Sequence, residues 1–213
     1  MRILDLFAGA GDKQRRQRIE ARKHEYVTLD FNHDFGCTIS ADILKVTAAD
    51  LGKFDFVWAS PPCEAFSVAA IGHHWKGGAK AYQPKTEHAV LSQEIVRKTL
   101  ELIAEIKPSR GWMMENPRGI LRKLPIVAGL KMVTVTYCRY GHSAMKPTDL
   151  WGNVPNWQPR PICENNHPDH EAAPRGSRTG TQGIDGAADR AVVPWQLWAD
   201  LLWAAEKNEA QLF

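Results

Sequence analysis

The sequence has no C-x-x-C pair. Its four cysteines, Cys37, Cys63, Cys138 and Cys163, are scattered, so they read as free thiols in a reducing compartment, each to be argued singly. No apolar run approaches the roughly 18–20 residues that a membrane-spanning helix needs. The apolar opening stretch carries Asp5 and lacks a cleavage-like flank, which argues against a secretory leader and for a cytoplasmic protein. There is no internal repeat and no low-complexity tract. Net charge is small: 27 lysines and arginines against 24 acids give +3, which permits a nucleic-acid partner without demanding one. What is present is ordinary globular composition, 44% hydrophobic and 24% charged over 213 residues. That excludes a disordered chain, a collagen-like fibre and a coiled coil, and it suits one domain with a small appendage.

Residues 2–7 (RILDLF) form a buried-strand pattern that stops at Ala8-Gly9-Ala10-Gly11. A helix is expected over 12–23 and a strand at 26–29, ending at Asp30. Another strand at 54–59 ends at Ser60-Pro61-Pro62-Cys63, where prolines forbid a continuing central strand. Residues 68–85 have no clear period and read as a long loop. Apolar residues at Val90, Leu91, Ile95, Val96, Leu100, Ile103 and Ile106 predict a helix over 86–106. A short strand at 111–114 runs into Glu115-Asn116-Pro117, a β-branched strand follows at 132–137, and 152–189 is irregular. An amphipathic helix over 194–206 closes the pattern, with Pro194 near its start. The alternation predicts an α/β fold, a mostly parallel sheet with helices on both faces. Ligands bind such sheets at the carboxyl ends of strands, and Gly9, Gly11, Asp30, Cys63 and Glu115 all fall there.

Gly9 and Gly11 let the backbone approach a nucleotide-like ligand, although the third glycine of the dinucleotide fingerprint is missing; the plain alternative is a tight turn. Asp30 stands where an acid accepts hydrogen bonds from ribose hydroxyls. Cys63, stiffened by two prolines beside a loop, suits a nucleophilic thiol; the plain alternative is a buried structural cysteine. Glu115, with Asn116, is an acid that burial could hold protonated or that could bind an amino-bearing ring.

Together these residues resemble the DNA (cytosine-5)-methyltransferases, especially the compact versions of phages and prophages. Asp5-Leu6-Phe7-Ala8-Gly9-Ala10-Gly11 is similar to the family's first motif, Asp30-Phe31 to its second and Asp42-Ile43 to its third. Ser60-Pro61-Pro62-Cys63-Glu64-Ala65-Phe66-Ser67 resembles the catalytic P-C-x-x-F-S motif, and Glu115-Asn116 the E-N pair. Asp189-Arg190-Ala191-Val192-Val193-Pro194 resembles the late motif that completes the cofactor pocket. The matches occur in the family's order.

The resemblance implies a Rossmann-like methyltransferase fold and S-adenosylmethionine as cofactor, bound by Asp5, Phe7, Gly9, Gly11, Asp30, Phe31, Asp42, Ile43, Pro61, Ala191 and Val192. It implies DNA as partner, no membrane and a monomer. The target cytosine would be flipped out and attacked at C6 by Cys63 while Glu115 holds N3, with Asn116 and Lys146 completing the catalytic set. Ser67, Arg118, Arg139, Arg175 and Arg178 are the expected DNA contacts. Other readings stay open: an RNA substrate, transfer of a different group from a modified cofactor, or a catalytically silent DNA-binding protein. Amino-group methylation is disfavoured, because enzymes of that class carry an aromatic residue where this chain has Cys63.

The chain departs from the family in several places. Its Q-x-R-x-R motif is replaced by Ala144, Lys146 and Thr148, and Lys146 keeps a positive charge without arginine's fork. Lys13, Arg15, Arg16, Arg18, Arg22 and Lys23 crowd a helix with no apolar stripe, which reads as a solvated face or as a track for a DNA backbone. Residues 1–140 and 189–213 are expected to form the catalytic domain, leaving 141–188 as a reduced target-recognition region that reads a short or degenerate sequence. Cys163, His167 and His170 form C-x3-H-x2-H, with Cys138 a possible neighbour. Structural zinc takes such ligands, but the spacing is irregular and crowded by Asp169 and Glu171, so no metal is the first reading and zinc at Cys163, His167 and His170 the minor one.

Overall fold

The computed structural model describes residues 1–10, 13–78, 82–164, 167–171 and 191–207. The strands are β1 (Arg2–Leu6), β2 (Glu25–Asp30), β3 (Ile39–Ser40), β4 (Phe56–Ala59), β5 (Trp75–Lys76), β6 (Gln83–Pro84), β7 (Gly111–Pro117), β8 (Met132–Thr136) and β9 (Pro147–Asn153). The helices are α1 (Lys13–Ala21), α2 (Ala48–Leu51), α3 (Ile71–His74), α4 (Glu87–Ile106) and α5 (Trp195–Lys207). Among the described residues no helix is long and apolar enough to cross a membrane.

Seven strands form one sheet in the order β3-β2-β1-β4-β7-β9-β8. Pairing is parallel from β3 through β7, and β9 runs antiparallel between β7 and β8. This is the expected Rossmann-like methyltransferase architecture. Strand order reverses between β1 and β4, which opens the crevice where ligands bind. The end of β1 and the end of β4 are joined there by the Ser60 N–H donating to the Leu6 carbonyl at 3.1 Å.

Alternation along the strands splits the core in two. Leu4, Leu6, Val27, Leu29, Val57, Ala59 and Met114 face α4. Ile3, Tyr26, Phe56, Trp58 and Met113 face α5, whose Trp198 is fully buried against Trp58, ring centroids 4.9 Å apart. Helix α4 starts where Thr86 Oγ1 accepts from the Ala89 N–H at 3.2 Å. It stops at Lys107, whose φ of 51° is left-handed, just before Pro108.

Three expectations change. First, residues 147–153 are a fully integrated strand, with Glu115 opposite Leu150 and Val133 opposite Leu150 on the other side. This strand falls within the span 141–188, so part of that span belongs to the central sheet. The strand is hard to foresee because Pro147, Asp149, Gly152 and Asn153 all disfavour β structure. Second, 68–85 is not a featureless loop. It carries α3 and the β5–β6 hairpin, pinned by buried Trp75, whose Nε1–H donates to the Ala65 carbonyl at 2.6 Å.

Third, the basic residues in and just after α1 divide: Lys13, Arg18, Arg22 and Lys23 are exposed, whereas Arg15 is buried and Arg16 half-buried. Ile19 is its only buried apolar side chain. The helix docks instead through guanidinium groups. Arg15 reaches the buried Asp5 carboxylate at 3.5 Å and lies over the Trp198 ring at 5.2 Å. Arg16 donates to Thr28 Oγ1 at 3.0 Å, Arg18 lies over Trp195 at 5.2 Å, and just past the helix Arg22 pairs with Glu206 at 2.6 Å. Flat, weakly hydrated guanidiniums can pack on rings and ion-pair together, which an apolar stripe cannot do.

Burial pushes the Asp5 carboxyl up, and Arg15 opposes that shift. Removing Arg15 leaves a buried carboxyl without its cation. Arg15→Ala is expected to cost about 3 kcal/mol in urea unfolding, whereas Arg18→Ala, at an exposed ring contact, should cost at most about 1 kcal/mol. Equal small losses at both positions would show that α1 is not held by the buried pair.

Candidate active site

The cofactor half is built at the ends of β1, β2 and β3. The Phe7 and Ala8 N–H groups both donate to the Leu29 carbonyl, which turns the chain sharply out of β1. Gly9 follows with φ +65°, and nothing lies within 4 Å of where its Cβ would stand. The backbone there faces open space that a ligand can approach closely. Asp30 is buried and accepts from the Gly9 N–H at 3.0 Å and the Asn32 N–H at 3.1 Å. Those two bonds leave carboxylate lone pairs for a diol.

Phe31 is 71% exposed directly after Asp30, an aromatic face open to a flat ring. The Ala41 N–H donates to the Asp30 carbonyl, which places Asp42, the residue after Ala41, next to the end of β2. Asp42 caps a short helix through the Leu44 N–H at 3.1 Å and pairs with Lys45 at 3.7 Å. Ala191 and Val192 are exposed, and the Arg18–Trp195 contact holds the segment that follows them beside α1. These groups fit an adenosyl ligand: an open glycine turn, a diol acceptor, a stacking face and a second acid.

The catalytic half sits at the ends of β4 and β7. Cys63 follows Pro61 and Pro62 and starts the short helix Glu64–Phe66, with its own carbonyl accepting from the Phe66 N–H at 3.0 Å. The Asn116 side chain donates to the Pro61 carbonyl at 3.0 Å, so it fixes the proline turn under the thiol. Gly119 closes the other side. A Cβ there would stand 2.2 Å from the Phe66 carbonyl oxygen, and the Ile120 N–H donates to that same oxygen at 2.9 Å. Only glycine permits this approach. It brings exposed Arg118 and half-buried Ser67 to one rim.

Glu115 is buried with Asn116. The Tyr137 hydroxyl donates to its Oε1 at 2.9 Å, and Ser60 hydrogen-bonds to it as well. Trp58 Nε1–H holds the Ser60 hydroxyl at 2.7 Å. The Lys146 ammonium lies 4.6 Å from the centre of the Tyr137 ring, buried. Lys146 has φ +27°, a strained value for a lysine, and its carbonyl accepts from the Tyr137 N–H at 3.4 Å and from the Thr148 hydroxyl at 3.3 Å.

Burial pushes the Glu115 carboxyl up, and the Lys146 charge and the Tyr137 hydrogen bond oppose it. The acid therefore keeps its proton above the ordinary carboxylate range. Burial also pushes the Cys63 thiol up, Glu115 adds to that, and Lys146 pulls it back. Burial and Glu115 thus favour the thiol over the thiolate, and Lys146 favours the thiolate. Thiolate forms when a group that enters the site takes its proton or its charge is met by Lys146.

The structure gathers Cys63, Glu115, Asn116 and Lys146 into one site, with Gly9, Asp30, Phe31 and Asp42 across the crevice. It moves others away. The Asp5 carboxylate lies under α1, held by Tyr26 and Arg15, because it points to the α5 face of β1. The Ile43 side chain is in the core, and Pro61 acts through its carbonyl. Arg139 pairs with Asp169 at 2.6 Å and donates to the Pro161 carbonyl at 3.1 Å, so its guanidinium is tied to the segment beyond β9. Gly11, Arg175 and Arg178 lie outside the described residues. Tyr137 was not foreseen as a site residue; no spacing marks it, and only its place at the end of β8 brings its hydroxyl to Glu115.

The pH dependence of Cys63 alkylation by iodoacetamide, read by peptide mass, reports this arrangement. Its midpoint should lie above that of free cysteine. Lys146→Met should raise it further and Glu115→Gln should lower it, each by on the order of one unit. A midpoint below that of free cysteine would mean the thiol is already activated.

No family model matches the chain. Among curated proteins it is 28% identical over 186 residues to the "Probable DNA (cytosine-5)-methyltransferase" of Frog virus 3 (isolate Goorha), across 84% of this chain and 83% of the viral one. Among solved structures, a DNA modification methyltransferase encoded within an E. coli prophage superposes with a TM-score of 0.49 at 14% identity, over 72% of this chain and 46% of that one. The S. pombe Dnmt2 methyltransferase gives 0.46 at 15% identity, over 75% and 52%. The chain spans about half the length of these two structures. The chain is thus similar in sequence to a viral protein named as a DNA (cytosine-5)-methyltransferase, and its own strand order is that of a Rossmann-like methyltransferase fold.

Proposed function

We propose that the chain methylates C5 of cytosine in DNA, with S-adenosylmethionine as donor and Cys63 as covalent catalyst. One observation carries this reading: a cysteine at the end of β4 lies near a buried glutamate at the end of β7, whose carboxyl burial pushes up, with a buried lysine acting on both. Covalent addition to an aromatic ring needs both a soft nucleophile and a place for the added electrons. The viral relative's name supports DNA as the polymer.

Gly9, Asp30, Phe31 and Asp42, with Gly11, Ala191 and Val192, would hold the cofactor. When bound, S-adenosylmethionine supplies an electrophilic methyl group. The cytosine is extruded from its helix, because C6 is unreachable inside the stack. Arg118 and Ser67 stand at the rim where the strand passes. Cys63 gives its proton to solvent as Sγ bonds to C6. Glu115 donates its proton to N3 as the ring takes up charge, and Tyr137 and Ser60 hold that carboxyl in place. C5 becomes nucleophilic and accepts the methyl group. N3 returns its proton to Glu115, and loss of the C5 proton to a base then re-forms the C5–C6 double bond and expels Cys63 as a thiolate, which regains a proton from solvent. Asn116 acts on the proline turn and is a positioning residue.

Incubation with S-adenosylmethionine and varied-sequence duplex DNA, then nucleoside mass spectrometry, should yield 5-methyldeoxycytidine. Cys63→Ser should lower the rate by at least about 10³-fold, Glu115→Gln by about 10²-fold or more and Lys146→Met by about 10-fold or more. Product on transfer RNA alone would overturn the DNA assignment and keep the chemistry. N4-methylcytosine or N6-methyladenine as product would overturn both.

A further inference from the structure

The four-residue helix Tyr137–Tyr140 after β8 carries Cys138, and the segment beyond β9 returns over it with Cys163 and His170. One ligand atom from each of these three residues lies within 4.8 Å of the other two. Cys163 Sγ and His170 Nδ1 are 3.4 Å apart. Zinc bonds of about 2.3 Å to sulfur and 2.0–2.1 Å to nitrogen give a tetrahedral S–N edge of about 3.5 Å. Both cysteines are buried, 5% and 4% exposed.

The backbone around the cluster is fixed independently of any ion. The Cys163 N–H donates to Thr136 Oγ1 at 2.9 Å, and the Glu171 N–H donates to the Ser143 carbonyl at 2.9 Å. Arg139, next to Cys138, pairs with Asp169, next to His170. His167, part of the sequence pattern, is drawn aside: its Nδ1 is 3.3 Å from Asp169 and its Nε2 is 3.4 Å from Arg139. The ligand set is therefore not the C-x3-H-x2-H read from sequence. It needs a cysteine twenty-five residues upstream of Cys163.

We propose that Cys138, Cys163 and His170 bind a zinc ion, with water in the fourth position. Two thiolates and an imidazole suit zinc by softness and geometry. Binding forms two Zn–S bonds and one Zn–N bond and releases the two thiol protons to solvent, so no oxidant takes part. The ion would staple the segment beyond β9 to the end of β8. Tyr137, which holds Glu115, is the residue before Cys138, so the staple also steadies one wall of the active site.

The test is metal content, which is read without any methylation assay. Protein made without a polyhistidine tag in zinc-supplemented medium should carry about one zinc per chain by plasma mass spectrometry. Cys163→Ser and His170→Ala should lose it, and His167→Ala should keep it. Where a variant fails to fold, apo protein titrated with Co²⁺ gives an independent reading: a sulfur-to-cobalt charge-transfer band and tetrahedral d–d bands are expected. Zinc-free wild-type protein without those bands would overturn the proposal. So would an intact mass about 2 Da light, which marks a Cys138–Cys163 disulfide. Loss of zinc from His167→Ala would overturn the assigned ligand set.

Discussion

The burial of the Glu115 carboxyl is the constraint on which the site depends. A lone carboxylate in that position would be costly, so the surroundings must supply hydrogen bonds, a cation or a proton. They supply all three. Tyr137 arrives from the end of β8, Ser60 from the end of β4, and Lys146 from the turn into β9. The antiparallel insertion of β9 makes this possible, because it sets Pro117 opposite Thr148 and brings the lysine before that strand over the end of β7. The same lysine pulls against the burial that keeps Cys63 protonated. A site arranged this way holds a thiol and an acid side by side without both being charged, and leaves the charge change to the moment when a ring is present.

The two halves of the crevice meet for a simpler reason. Strand order reverses between β1 and β4, so the glycine turn after one strand and the proline turn after the other open toward the same side. Asn116 and Gly119 then fix the proline turn from beneath and beside it. Docking α1 by guanidinium contacts serves the cofactor side, because that helix starts just past the glycine turn and reaches Trp195 of the returning segment.

The sequence made the strand ends legible. Glycines and prolines punctuate apolar runs there, and punctuation by backbone chemistry survives without tertiary knowledge. Cys63, Glu115 and Asp30 were found for that reason. Strand β9 was missed because Pro147 and Asp149 deny it any local strand signal, although between two neighbours it has every reason to pair. Helix α1 was found but its role was not, since cation–ring and buried ion-pair docking leave no hydrophobic period. Arg139 looked free in sequence because its partner, Asp169, lies thirty residues away. Tyr137 became visible only as a neighbour of Glu115.

The most direct measurement of the central claim is covalent capture. Duplex DNA carrying 5-fluorocytosine blocks the last elimination, because fluorine in place of the C5 hydrogen leaves no proton to remove. With S-adenosylmethionine present, the account predicts a denaturation-resistant protein–DNA adduct whose peptide mass places the DNA on Cys63, and no adduct with Cys63→Ser. Methyl transfer to ordinary DNA with no adduct on the fluorinated duplex, or an adduct that persists in Cys63→Ser, would contradict it.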